Sequence, residues 1–133
     1  MTMPIAIVAG EPNSTSSEII FKSWLLIKKF THRPILVIGN IKLLNMQKKK
    51  MKFKISIKKI NKNFKNKDLY GNKIPVYDVN YIQKKAFQKI SIKSNKYIFE
   101  CFDVAMKLIK MKKIQGIINC PIHKETLLKK KFK

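Results

Sequence analysis

Pro4-Ile5-Ala6-Ile7-Val8-Ala9, followed at once by Gly10-Glu11-Pro12-Asn13, decides how this chain folds. The first six residues are apolar without alternation. A half-exposed strand would alternate with period two, so this run predicts a strand covered on both faces, as in a parallel sheet. Gly10–Asn13 breaks it. Ser14, Thr15, Ser16 and Ser17 then offer N-cap oxygens, and Glu18 places a carboxylate in the first turn of a helix. Ile19, Ile20, Trp24, Leu25 and Ile27 recur at helical spacing and carry that helix over residues 17–30.

The same alternation continues along the chain. Pro34–Ile38 reads as a second buried strand, ended by Gly39-Asn40. Ile41–Gln47 predicts a short helix with Leu44 facing inward. Lys52–Ile60 alternates lysine with Phe53, Ile55 and Ile57, the pattern of a half-exposed strand. Asn61–Asn72 is polar and reads as a loop. Ile74–Val79 predicts a further strand, which Pro75 places near a sheet edge. Tyr81–Ile92 carries no readable period. Beyond it, Tyr97, Ile98, Cys101, Val104, Ala105, Leu108 and Ile109 mark one face of a helix from Ser94 to Met111. Gln115-Gly116 turns into the strand Ile117–Asn119, Cys120-Pro121 ends it, and His123–Lys130 starts a helix. Strand–helix alternation of this kind specifies an α/β fold, a mostly parallel sheet with helices on both faces.

The length of 133 residues fits one domain, with 45% hydrophobic residues to build its core. The longest apolar runs, such as Ile5–Ala9 and Ile35–Ile38, fall far short of the ~20 residues a membrane-spanning helix needs. Met1–Gly10 lacks the basic start of a signal peptide, so a cytoplasmic protein with no membrane association is expected. Cys101 and Cys120 lack CxxC spacing and are expected as buried free thiols. The net charge of +23 would suit a polyanion, but Arg33 is the only arginine. Nucleic-acid recognition draws on arginine for bidentate contacts. Lysine, asparagine, isoleucine and phenylalanine all have AT-rich codons, and base bias alone yields this composition. Nucleic acid is therefore expected to bind only non-specifically, with the lysine runs Lys48–Lys50 and Lys129–Lys131 as solvated faces.

In open α/β sheets, ligands bind beyond the carboxyl ends of the strands. Two segments fall there. Gly10-Glu11-Pro12-Asn13-Ser14 leads into a helix N-terminus, where backbone N–H groups and hydroxyls suit an anion; serine capping of a plain strand-to-helix turn explains it equally. It matches neither GxxxxGK[ST] nor GxGxxG. Asn119-Cys120-Pro121-Ile122-His123-Lys124-Glu125 gathers an amide, a thiol, an imidazole, an ammonium and a carboxylate at one strand end. His123 can donate or accept near neutral pH and Lys124 can pair with phosphate or carboxylate; the alternative is that His123 caps a helix while Lys124 and Glu125 face water. Cys120 has no defined base partner. His32 reads as an exposed loop residue. No His, Cys, Asp or Glu cluster has metal-ligand spacing.

These segments, in this order, resemble the 4-hydroxythreonine-4-phosphate dehydrogenase family. Gly10-Glu11-Pro12 and Glu18-Ile19-Ile20 match its opening G-[DE]-P-A-G-I-G-P-E. Arg33-Pro34-Ile35-Leu36-Val37-Ile38-Gly39 is similar to its R-P-[VI]-x-[VI]-G. Gln115–Glu125 is similar to its D-[AG]-[IL]-[VI]-[TN]-[AG]-P-[IV]-x-K-E. The chain departs from the family at Asn13–Ser17, where side chains replace a glycine-containing loop. It also departs in length, since the family's chains are two-lobed.

The resemblance implies an incomplete isocitrate/isopropylmalate dehydrogenase-like fold, with residues 1–133 as its N-terminal part. It implies NAD-dependent oxidation, with decarboxylation, of 4-phosphooxy-L-threonine in pyridoxal 5'-phosphate (vitamin B6) biosynthesis. It further implies a homodimer at full length and a divalent metal (Zn, Mg or Co). A Gly-His-Thr-Glu substrate motif would come just after Lys133, and the metal and cofactor ligands would lie beyond it. The fragment alone is then expected to be inactive. His123, Lys124 and Asn119 are the substrate-cleft candidates, Gly10, Glu11 and Pro12 the cleft-loop candidates, and no catalytic or metal residue is assigned. The alternatives are a small lysine-rich nucleic-acid-binding protein and a non-catalytic domain that binds a partner.

Overall fold

The computed structural model describes residues 2–131. Its elements run β1 (Ile5–Val8), α1 (Ser16–Phe30), β2 (Ile35–Gly39), α2 (Ile41–Lys50), β3 (Ile57–Lys59), β4 (Ile74–Asp78), α3 (Asn95–Lys110), β5 (Gly116–Asn119) and α4 (Lys124–Lys131). Short 3-10 turns occupy Asn66–Leu69 and Ile92–Ser94. The five strands form one sheet in the order β3-β4-β2-β1-β5, and every pairing is parallel.

The apolar runs are continuous because both faces of the sheet are covered. Ala6 and Val8 of β1, with Leu36 and Ile38 of β2, face α3 and pack among Tyr97, Ile98, Cys101, Ala105 and Leu108. Ile7 and Ala9, with Ile35 and Val37, face the other way onto Ile20, Phe21 and Trp24 of α1 and Leu44 of α2. Successive strand residues point to opposite faces, so a strand in this position tolerates no polar alternate. Cys101 and Cys120 are both buried free thiols, in line with the sequence expectation.

Three local expectations are corrected. Lys52–Ile60 is not one strand, because only Ile57–Lys59 pairs; its partner β4 meets it through three residues. Part of the polar Asn61–Asn72 stretch turns as a 3-10 helix that buries Leu69. Pro75 does not mark an edge, since β4 lies between β3 and β2. The reason is register. Ile74 N–H donates to Ser56 O and Ile60 N–H to Val76 O, so Ile74 turns its N–H toward β3. The missing N–H of Pro75 therefore falls on the β2 side, one residue before the β2 ladder begins at Val37–Val76.

Asn40 joins the sheet to the helices. Its Oδ1 accepts from Leu43 N–H at 2.9 Å and caps α2, while its Nδ2 donates to Val79 O at 2.9 Å. Its own N–H donates to the buried Tyr97 hydroxyl at 2.9 Å. Replacing Asn40 by Ala removes the cap and leaves a buried carbonyl unpartnered. The expected cost is about 1–2 kcal/mol. It is read as a lower urea midpoint with an unchanged denaturant slope.

Candidate functional site

The strand order reverses at β1. The chain passes from β1 to β2 on one side, and α3 returns it to β5 on the other. A crevice at the carboxyl ends of strands, at such a reversal, is where open α/β sheets hold ligands. The Gly10–Asn13 loop follows β1 and the Cys120–His123 loop follows β5, so the two segments singled out in the sequence meet here.

They meet at close quarters. Glu11 N–H donates to Pro121 O at 2.9 Å, and Ser16 Oγ–H donates to the same oxygen at 3.0 Å. A Cβ at residue 10 would lie 2.6 Å from the Cys120 carbonyl oxygen and closer still to that of Pro121. Glycine is required there by the approach of one backbone to another. Cys120 N–H donates to Val8 O and carries the β1–β5 ladder up to this point.

The loop after β1 spends most of its polar groups internally. The sequence expectation of serine capping is met only indirectly: Thr15 is the N-cap of α1 and makes no side-chain cap bond. Ser14 Oγ donates to Glu11 O and accepts from Ser16 N–H. Asn13 and Gln83 form a reciprocal amide pair at 3.1 and 2.8 Å, and Gln88 N–H also donates to Asn13 Oδ1. Pro12 is buried, and its carbonyl accepts from the buried Gln47 Nε2 at 2.6 Å. The unreadable Tyr81–Ile92 stretch thus lies over this loop, with Tyr81 stacked on Tyr97 at a ring separation of 4.6 Å. No periodicity announced it, because its side chains serve hydrogen bonds rather than a core.

Glu11 is 1% exposed. Ser94 Oγ–H lies 3.1 Å from both of its carboxyl oxygens, and Asn13 N–H approaches Oε2 at 3.5 Å. Its carboxyl thus faces the Asn13 N–H, and the Glu11 N–H is taken by Pro121 O, so neither is open to a ligand anion. Burial pushes this carboxyl above the ordinary 4.5; the Ser94 hydroxyl, the Asn13 N–H and the charge of His123 pull the other way. Ser94 was readable only as the start of a helix, and nothing in the sequence marks it as the partner of Glu11.

On the β5 side, Asn119, His123 and Lys124 are exposed. His123 Nδ1 accepts from Thr126 N–H at 3.3 Å and sits 2.7 Å from Thr126 Oγ1, so the imidazole caps α4. That bond leaves the proton of the neutral ring on Nε2. Cys120 is 5% exposed, and burial pushes its thiol up to about 11. It is protonated at neutral pH and unsuited to attack as a thiolate. Arg33 serves structure: Nε donates to Met3 O at 3.0 Å and Nη2 to Gln115 Oε1, tying the start of β1 to the start of β5. His32 is exposed, and the side chains of Lys129–Lys131 lie outside the described residues. Among the described residues, no three His, Cys, Asp or Glu side chains are placed to hold a metal ion.

The raised value at Glu11 has a definite sign. The folded chain holds this proton more tightly than the unfolded chain does. The stability it contributes is full below pH 4.5 and lost as pH rises through the folded value. Glu11→Gln, nearly isosteric, removes the loss. Unfolding free energies measured from pH 4 to 8 should show the difference between variant and wild type shifting in favour of the variant as pH rises.

Residues 31–133 match the family described as pyridoxal phosphate biosynthetic protein PdxA. A protein of Oceanobacillus iheyensis, named for D-threonate 4-phosphate dehydrogenase, is 29% identical over 126 residues, which is 94% of this chain and 38% of that protein. Two solved structures share the fold. The 4-hydroxythreonine-4-phosphate dehydrogenase of Burkholderia phymatum superposes with a TM-score of 0.82 at 21% identity, over 96% of this chain and 39% of the other. The enzyme of that name from Klebsiella pneumoniae gives 0.79 at 20% identity, with the same coverage. The chain thus spans about two-fifths of the length of these relatives. It belongs to the PdxA family.

Proposed function

We propose that this chain forms one wall of the cleft of a dehydrogenase acting on a small phosphorylated hydroxy acid. The substrate is 4-phosphooxy-L-threonine, NAD accepts the hydride, and decarboxylation follows, in the synthesis of pyridoxal 5'-phosphate. The observation that carries this reading is the meeting of Gly10–Pro12 with Asn119–Lys124 at the reversal of strand order, on residues that also match the family's two motifs. The family and its dehydrogenase relatives support an oxidoreductase role. NAD, the substrate and the pathway step are the finer part of the proposal, as are a homodimer and a cytoplasmic location. The described residues do not fit a metal site. Among the described residues, no helix is long and apolar enough to cross a membrane.

Within this chain the roles are those of binding. Lys124 offers an exposed ammonium for a phosphate or carboxylate oxygen, Asn119 an amide, and His123 an Nε2–H donor. Gly10, Glu11 and Pro12 form the wall behind them. Adding 4-phosphooxy-L-threonine to the isotopically labelled chain should shift the amide signals of Asn119, His123 and Lys124. Lys124→Ala should weaken the binding roughly tenfold or more, the worth of one charge-assisted bond. Shifts confined to other residues would refute the assignment. The 133-residue chain should not reduce NAD with this substrate, with or without zinc or magnesium; turnover would relocate the chemistry.

The net charge of +23 favours one second reading, a nucleic-acid-binding protein. Against it, the single arginine is committed to Met3 and Gln115. Binding of single-stranded RNA should fall steeply and uniformly for all sequences as salt rises, and vanish at moderate salt. A sequence preference that survives at 200 mM salt would reverse the ranking of the two readings.

A further inference from the structure

Glu11 is the only buried acidic side chain among the described residues. A carboxyl withdrawn from water is costly unless it is well partnered. Its partners here belong to a closed circuit. Glu11 N–H donates to Pro121 O, two residues before His123. His123 Nδ1 meets Thr126 through its N–H and Oγ1. Thr126 O accepts from Asn95 Nδ2 at 3.0 Å. Asn95 follows Ser94, whose hydroxyl returns to both carboxyl oxygens of Glu11. Ser94 and Asn95 are each 1% exposed. The circuit ties the loop after β1, the start of α3 and the loop after β5 to one carboxyl.

We propose that Glu11 is a positioning residue: clasped by Ser94 and bound to Pro121, it sets the placement of the Ile122–Thr126 segment and so of His123 and Lys124 beyond the carboxyl end of β5. The functional meaning of that placement rests on the cleft reading above, whereas the placement itself does not. An apolar residue would fill the same volume but could not receive the Ser94 hydroxyl. Glutamate makes the closure responsive to protonation. The protonated form presents one acceptor fewer to Ser94 and Asn13, and loses its attraction for His123. The other groups facing the carboxyl are Ser94 and Asn13 through hydrogen bonds, and His123 and Tyr81 through charge.

The test needs no substrate, so it stands or falls apart from the proposed reaction. In the labelled 133-residue chain, the side-chain carboxyl carbon of Glu11 and the amides of Ile122 and Thr126 are followed by NMR from pH 4 to 8. The ring signals of His123 are followed in parallel to recognise its own titration. The amides should share the midpoint of Glu11, above 4.5. Glu11→Gln should abolish that step in the amides while the chain stays folded. Ser94→Ala should move the carboxyl and amide midpoints to higher pH together, and Ser94→Thr should restore them. A purely structural role would change the melting temperature and leave the amides without this step. Amides that are flat through the Glu11 midpoint, or a step that persists in Glu11→Gln, would overturn the proposal. Should Glu11→Gln fail to fold, the Ser94 pair of variants decides by the same criterion.

Discussion

One carbonyl oxygen organises the end of the sheet where the strand order reverses. Pro121 O receives the Glu11 N–H and the Ser16 hydroxyl, and the missing side chain of Gly10 gives it room. Without that contact the loops after β1 and β5 would be two independent strand exits. With it, the N-terminal end of α1, the exit of β1 and the approach to α4 are fixed relative to one another. The parallel sheet makes the contact possible, since both strands point the same way and end at the same level, Val8 opposite Asn119.

Where the sequence was legible, burial explains why. β1 and β2 are covered on both faces, so every position is apolar and the runs stand out. α3 carries Tyr97, Ile98, Cys101, Ala105 and Leu108 on one face, and its helical period is plain. β3 was overextended because alternation in Lys52–Ile60 reflects partial burial and does not require a strand partner. Pro75 misled for a different reason. What a proline costs a strand depends on where its missing donor points, and register is a property of the neighbouring strands. The candidate site is half legible: the sequence marks two loops that the fold brings into contact, but not the bonds of the first to Ser94 and to the Gln83 segment. Hydrogen bonds over such sequence distances leave no period to read.

Charge illustrates the opposite failure, a loud signal with little structural content. The +23 belongs to lysines that largely remain on the surface, where they are well solvated. The ion pairs Lys22 with Glu18 and Lys96 with Glu100 are both exposed helix pairs four residues apart. Such pairs contribute a few tenths of a kcal/mol. Neither core cluster includes a charged residue. The fold therefore stands on its apolar faces, and the charge governs mainly how the chain behaves toward polyanions at low salt.

The departure at Asn13–Ser17 has a physical consequence for where recognition can occur. A glycine-containing loop leaves backbone N–H groups open to an approaching ligand. Here Asn13 is paired with Gln83, Ser14 and Ser16 are bonded to Glu11 O and Pro121 O, and the Glu11 carboxyl faces the Asn13 N–H. The loop has become an internal brace. Exposed polar residues after β5 at the reversal of strand order are Asn119, His123, Lys124 and Glu125, and on the β1 side Thr15. The β5–α4 side thus presents an ammonium, an imidazole and a carboxylate side by side, while the carboxyl on the β1 side is withdrawn from water, so any recognition at this end falls to side chains after β5 rather than to the backbone of the loop after β1.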